Sequence, residues 1–140
     1  MATLEVEVRI AVRWADMDAY RHVNNAVYLN YLEEARDRLM DELFGAEAYD
    51  FVIAHVGIDF RDEVTQDDGE VLVRSRVEGY GTSSVRTREV VLKSDGTVAA
   101  EGECVLVPRD RERRRSRRLT DAERDRLDGL GHDHLSGGAP

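Results

Sequence analysis

Asn25-Ala26-Val27-Tyr28-Leu29-Asn30-Tyr31-Leu32-Glu33-Glu34-Ala35-Arg36-Asp37-Arg38-Leu39-Met40-Asp41-Glu42-Leu43-Phe44 is the stretch whose periodicity decides the fold. Tyr28, Leu32, Ala35, Leu39 and Leu43 recur at helical spacing, with Leu29, Arg36 and Met40 beside them. Glu33, Asp37, Arg38, Asp41 and Glu42 fill the opposite face, which predicts an amphipathic helix of about five turns. Asn24 or Asn25 suits the N-cap, and Gly45 stands where a glycine ends a helix.

Outward from this helix the period changes to two. Residues 4–14, Leu-Glu-Val-Glu-Val-Arg-Ile-Ala-Val-Arg-Trp, alternate apolar and charged side chains as a half-buried strand does. After the helix come four more strand-like runs, over 51–62, 70–80, 84–93 and 97–107. Ser94-Asp95-Gly96 is a hairpin turn between the last two, and Pro108 ends the series. The chain therefore reads as α+β, one long helix wrapped by an antiparallel five-stranded sheet, with the last four strands expected as a meander. A single helix covers one face of such a sheet, so exposed strand edges and helix flanks predict a homodimer or homotetramer. The domain is expected over 1–108. Residues 109–140 read as an arginine-rich segment, a short helix over 119–130 capped by Thr120, and a polar, disordered tail.

Composition narrows the function. With 140 residues and 41% apolar content the chain is one soluble globular domain. No apolar run is long enough to span a membrane, and residues 1–13 lack the apolar core of a signal peptide, so the protein is expected in the cytoplasm. Its one cysteine, Cys104, sits at the buried parity of a strand, as a core residue. The net charge of −9 is uneven, because 109–118 holds seven of the 20 basic residues and two of the 29 acidic ones. The rest is strongly acidic and would repel nucleic acid. The arginine cluster itself reads as a solvated tail, a phosphate-binding flap, or a contact for the acidic body of a neighbour.

The chemistry concentrates in Arg13-Trp14-Ala15-Asp16-Met17-Asp18-Ala19-Tyr20-Arg21-His22-Val23-Asn24-Asn25. Two carboxylates, an imidazole and two amides lead into the N-terminus of the longest helix. Such a terminus offers unpaired N–H groups and partial positive charge to a developing oxyanion. A carboxylate there can attack directly or activate water. Asp and Asn before a helix are also ordinary caps and turn formers, and spacing alone leaves both readings open.

Residues 13–36 resemble the signature of acyl-CoA thioesterases of the 4-hydroxybenzoyl-CoA thioesterase type. They are also similar to plant acyl carrier protein thioesterases, which share Trp-x-Asp-x-Asp followed by His-Val-Asn-Asn and Tyr. The resemblance implies a hotdog fold and hydrolysis of a fatty or aromatic acyl-CoA, with no metal and no cofactor. It implies Asp18 as the catalytic carboxylate, Asp16 as the residue holding the loop, and His22 as a second catalytic group. Asn25 would donate its backbone N–H to the oxyanion. Tyr20 replaces an Asn of the carrier-protein branch, so a three-residue Asp-Asn-His mechanism is not implied. Tyr28, Gly57 and the loop Thr82-Ser83-Ser84 would meet the substrate, the loop reaching its pantetheine arm. Arg61, Arg86 and Arg88 are candidates for the coenzyme A phosphates. Glu34 and Arg36 match the family's Glu-x-Arg, Arg36 being expected to pair with an acid of the catalytic loop or across a dimer. His55 reads as a core or interface histidine. Alternative readings are an acyl carrier protein substrate and a non-catalytic acyl-CoA binding module. A hotdog dehydratase would need a His followed by Pro-Gly before the helix, which is missing here.

Overall fold

In a computed structural model describing residues 4–130, the central helix forms as α1, Asn25–Phe44. Asn24 is the N-cap, its side chain accepting the Ala26 N–H at 2.8 Å. Gly45 ends the helix at φ 59°, a left-handed value that favours glycine. Tyr28, Leu32, Ala35, Leu39 and Leu43 are buried, while Leu29 stays 39% exposed on the helix flank.

Six strands surround it: β1 Glu5–Ala11, β2 Phe51–Phe60, β3 Glu70–Tyr80, β4 Val85–Leu92, β5 Val98–Asp110 and the short β6 Arg115–Ser116. All pairings are antiparallel, in the order β1-β3-β4-β5-β2, with β6 on β5. The expected four-strand meander is thus corrected. β3, β4 and β5 follow one another, but β2 lies beyond β5 and β1 lies beside β3. The connection 61–69 is too long and too polar for a hairpin, and it carries the chain from one side of the sheet to the other.

Alternation along the strands sends Val71, Val73, Val77, Val85, Val91, Ala100, Cys104 and Leu106 toward the helix. The helix packs tightly against the sheet at Gly102, where a Cβ would come within 2.6 Å of Leu32 Cδ1. Cys104 is fully buried, and burial pushes its thiol up to about 11, which makes it an inert core residue.

Within the chain, Arg36 pairs with an acid of the sheet and not with one of the 13–25 loop. Its Nη1 lies 3.2 Å from Glu89 Oε1 of β4, and the Ser75 hydroxyl of β3 donates to Glu89 Oε2 at 2.8 Å. Arg36 and Glu89 are both buried, so an ion pair crosses the core between helix and sheet.

The chain beyond Pro108 also belongs to this core. β5 continues to Asp110, turns, returns as β6, and leads to the helix α2, Asp121–Asp128. Leu119 and Leu127 pack with Leu39, Met40, Leu43 and Phe44. Thr120 caps α2 as expected, with Glu123 completing a capping box. Arg117 grips the buried Glu123 carboxylate in two bonds of 2.9 and 3.0 Å. The tail expected from residue 131 onward lies outside the described residues. Among the described residues no helix is long and apolar enough to cross a membrane.

Burial raises the Glu123 pKa, but hydrogen bonds from Arg117 and Thr120 outweigh it and hold the carboxyl below its ordinary range. A lowered pKa gives stability that is present above the ordinary carboxylate range and lost as pH falls through the lowered value. Glu123→Gln is expected to destabilise the protein by about 1–3 kcal/mol at neutral pH and by less in acid. Urea unfolding of both proteins at neutral and acid pH checks it; an equal difference at both pH values would contradict the assignment.

Candidate active site

The polar loop between β1 and α1 is stitched to the 61–69 connection. The Val12 N–H donates to Gly69 O at 2.9 Å and the Val23 N–H to Val64 O at 2.8 Å, while Met17 and Val23 form a bridge across the loop. Asp16 anchors it from within. This carboxylate is 1% exposed and accepts from the Arg13 backbone, the Arg13 guanidinium and the Tyr31 hydroxyl, the last at 2.8 Å. Burial raises its pKa, but the bonds from Arg13 and Tyr31 prevail and hold it below the ordinary range. Burial, followed by the Asp16 contact, pushes the Tyr31 phenol up, so it stays a donor. All of its acceptor capacity is used in this way, so Asp16 ties the loop to Arg13 and Tyr31.

Asp18 differs in kind. Its Oδ1 accepts the Tyr20 N–H at 2.8 Å and, at 3.4 Å, the His22 N–H. Its own N–H donates to His22 O at 2.9 Å, closing a tight turn in which Arg21 takes φ 65°. Among the described residues no donor meets Oδ2. The side chain is half-buried and lines a cleft of about 560 Å³ with Trp14, Met17, Arg21, Thr65 and Gln66. Beside it begins α1. The Asn24 N–H goes to Asp16 O and the Ala26 N–H to the cap, while no acceptor among the described residues takes the Asn25 N–H. A carboxylate with one free oxygen thus shares a loop with an unpaired donor at the positive end of a helix, which suits attack on an activated carbonyl.

His22 touches Asp18 through its main chain only. Its imidazole turns to Glu63, with Nε2 and Oε2 2.7 Å apart. Glu63, Tyr31 and the cleft wall Thr65–Gln66 escaped the sequence reading. Tyr31 carried a signal, because it falls on the buried stripe with a hydroxyl that needs a partner; Glu63, in an irregular connection, carried none.

Several expected substrate contacts stand elsewhere. Tyr28 is an internal residue of this chain. It is 3% exposed and packs edge-on to Tyr31 and Phe60. Gly57 sits in β2 opposite Glu103, and a Cβ there would meet ordinary contacts, so nothing in this chain demands a glycine. Thr82-Ser83-Ser84 lies at the far end of the sheet. β3 starts at Glu70 beside the loop between β1 and α1 and reaches the hairpin after 11 residues, about 35 Å away. Within one chain that loop lies far from Asp18. Ser84 is also buried. Arg61 and Arg88 both turn to Glu101, at 3.2 and 3.5 Å. Arg86 lies over Gly79, where a Cβ would collide with its guanidinium. Glu34 is on the solvated face of α1. His55 is corrected from the core reading, since its side chain is 58% exposed, 3.9 Å from Glu103.

A long helix wrapped by strands in this order is the hotdog fold, and its carboxylate-bearing loop before the helix defines the class as thioester hydrolases. Comparison with known proteins agrees. A model of the thioesterase-like superfamily matches residues 12–127, and the chain belongs to that family. It is 27% identical over 133 residues to the long-chain acyl-CoA thioesterase FadM of Escherichia coli, covering 89% of this chain and 98% of that protein. A Thermus thermophilus thioesterase solved with coenzyme A and zinc is 36% identical at a TM-score of 0.78, covering 89% of this chain and 92% of that one. A Staphylococcus aureus DHNA-CoA thioesterase, 15% identical, shares the fold at a TM-score of 0.79 over 90% of each chain.

Proposed function

We propose that this protein hydrolyses acyl-CoA thioesters to the free acid and coenzyme A, as a cytoplasmic homodimer with sites between its two copies. The observation that carries this reading is Asp18, fixed by main-chain donors at a cleft beside the unpaired Asn25 N–H. The thioester carbonyl oxygen rests against that N–H. Asp18 attacks the carbonyl carbon directly, expelling the thiolate and leaving a mixed anhydride that water then hydrolyses to the free acid and the Asp18 carboxylate, or it takes a proton from a water that attacks the carbonyl. In the water route the tetrahedral intermediate expels the thiolate, which leaves as the thiol with the proton from Asp18. A thiolate is a good leaving group, so a separate acid is not essential, and His22 serves chiefly to hold the turn. The FadM and coenzyme A-bound relatives support an acyl-CoA substrate.

The dimer follows from the edges. β1 is short and exposes Glu5, Glu7 and Arg9, which discourage pairing. β2 is ten residues long and exposes Val52, Ile53, Val56 and Phe60, with Leu29 exposed on the helix. A twofold axis joining two β2 edges sets them antiparallel and lays the two α1 helices antiparallel on one face. The catalytic loop of one copy then lies at the same end as the partner's β3–β4 hairpin. That arrangement brings Thr82 and Ser83 to a site that one chain cannot complete.

Thiol release from a panel of acyl-CoAs tests the function, with Val56→Asp testing the assembly. Turnover by a dimeric wild type, and a monomeric, folded, inactive variant, are expected. A wild type that binds acyl-CoA without releasing thiol would make it a binding module instead.

A further inference from the structure

The connection 61–69 is the platform on which the turn bearing Asp18 rests. Gly69 O and Val64 O take the Val12 and Val23 N–H groups on either side of that turn. Glu63 holds the imidazole of His22, and Thr65 and Gln66 wall the cleft. Four acids, Asp62, Glu63, Asp67 and Asp68, stand close together along this connection, and like charges so placed repel one another.

One ammonium gathers them. Lys93 follows directly on β4 and opens a tight turn closed by two main-chain bonds of 2.9 Å, from the Lys93 N–H to Thr97 O and from the Gly96 N–H to Lys93 O. From that fixed base Nζ reaches across to the connection. It donates to Glu63 O at 2.9 Å and lies 3.4 Å from Asp62 Oδ2 and 3.7 Å from Asp68 Oδ1. With 17% of the lysine side chain exposed, salt screens these contacts only in part. Burial works against the charge, but Asp68, Asp62 and Asp95 outweigh it and hold the Lys93 pKa above its ordinary value. Arg61, within the connection itself, turns away to Glu101. Among the described residues only Lys93 and the His22 imidazole pair with these four acids.

We infer that Lys93 is a positioning residue for the reaction at Asp18, acting through Glu63 and His22, a role that rests on the proposed hydrolysis there. Lys93 does not line the cleft, so it acts at one remove. The path from it is continuous. Its Nζ fixes the main chain of Glu63, and the Glu63 carboxylate lies 2.7 Å from His22 Nε2. The main chain of His22 then closes the turn, its O accepting the Asp18 N–H at 2.9 Å. A shift of Glu63 therefore passes to the carboxylate that must meet the thioester carbonyl, and small misplacements of such a group cost rate.

Lys93→Met keeps the length of the side chain and removes the ammonium. It should lower kcat for acyl-CoA hydrolysis about tenfold with KM close to wild type. Lys93→Arg restores a cation and should recover most of that rate. Native-state amide exchange needs no substrate. In Lys93→Met the Val12 and Val23 N–H groups should exchange about tenfold or more faster, while the amides of β3 and β4 keep wild-type protection. A wild type that releases no thiol would end the hydrolysis reading and this role with it. Turnover by wild type with an equal kcat in Lys93→Met would remove the role of Lys93 alone. A rise in KM without a fall in kcat would make Lys93 a substrate contact and overturn the proposal. So would faster exchange throughout the sheet, or a Lys93→Arg variant no better than Lys93→Met. Should Lys93→Met fail to fold, Asp62→Asn carries the test, because it removes one carboxylate of the clamp and keeps an oxygen for the Glu63 N–H. A smaller loss of kcat with the same local exchange is then expected, and wild-type values of both would overturn the role.

Discussion

Asp18→Asn is expected to lower kcat for thioester hydrolysis by about 100- to 10,000-fold while KM and the fold stay close to wild type. The asparagine is chosen because of what Asp18 does in the loop. Its Oδ1 accepts the N–H groups of Tyr20 and His22, and an amide carbonyl can accept both in the same place. The free oxygen becomes an amide nitrogen that can neither attack a carbonyl nor take a proton from water. Alanine would remove the turn along with the chemistry, and its effect could not be apportioned. The imidazole of His22 points to Glu63 and away from Asp18, so His22→Gln is expected to cost far less than Asp18→Asn. Steady-state thiol release, with circular dichroism as a check on folding, measures both. Full activity in a folded Asp18→Asn protein would remove Asp18 from the reaction.

Much of this molecule was legible in its residues because burial imposes period and alternation. The helix over Asn25–Phe44, its cap, its terminal glycine and the five long strands follow from patterns that one buried face enforces. The division of labour between Asp16 and Asp18 came from resemblance, and the bonds of Asp16 to Arg13 and Tyr31 give its structural role a physical basis. Strand order was not legible. Alternation tells which side of a strand faces the core, and nothing in it says whether β2 pairs with β3 or with β5. The hairpin Thr82-Ser83-Ser84 was grouped with Asp18 by motif, yet the length of β3 separates them. Its connection to the site depends on a second copy, which one chain's periodicity cannot locate. Arginine-rich composition made 109–118 resemble solvated chain, whereas Glu123, a buried acid in a capping box, ties that segment to the fold.

Glu89 had a signal of its own, since it falls at the inward parity of β4 between Val85, Thr87 and Val91. The pair it forms with Arg36 carries the second large effect. Glu89→Ala is expected to destabilise the protein by about 3–5 kcal/mol, because a buried guanidinium loses its counter-charge. Arg36→Met should cost less, and the reason is chemical. A guanidinium cannot shed its proton, whereas a carboxyl can take one. Burial already pushes the Glu89 pKa up against the pull of Arg36 and the hydroxyl of Ser75. Without Arg36 it would rise further, and the residue would fold neutral. A raised pKa gives stability that is fully present below the unfolded carboxylate value and lost as pH rises through the folded one. Arg36→Met should therefore be most stable in mild acid and weaken toward neutral pH, while Glu89→Ala, with no carboxyl to protonate there, should lack that dependence. The double variant Arg36→Met, Glu89→Leu removes both charges and should recover most of the loss, since a buried ion pair adds little net stability over an apolar pair of similar size. Urea unfolding across pH separates the three variants. Equal losses for the two single substitutions, with no pH dependence in Arg36→Met, would mean that the pair is not desolvated as the fold requires.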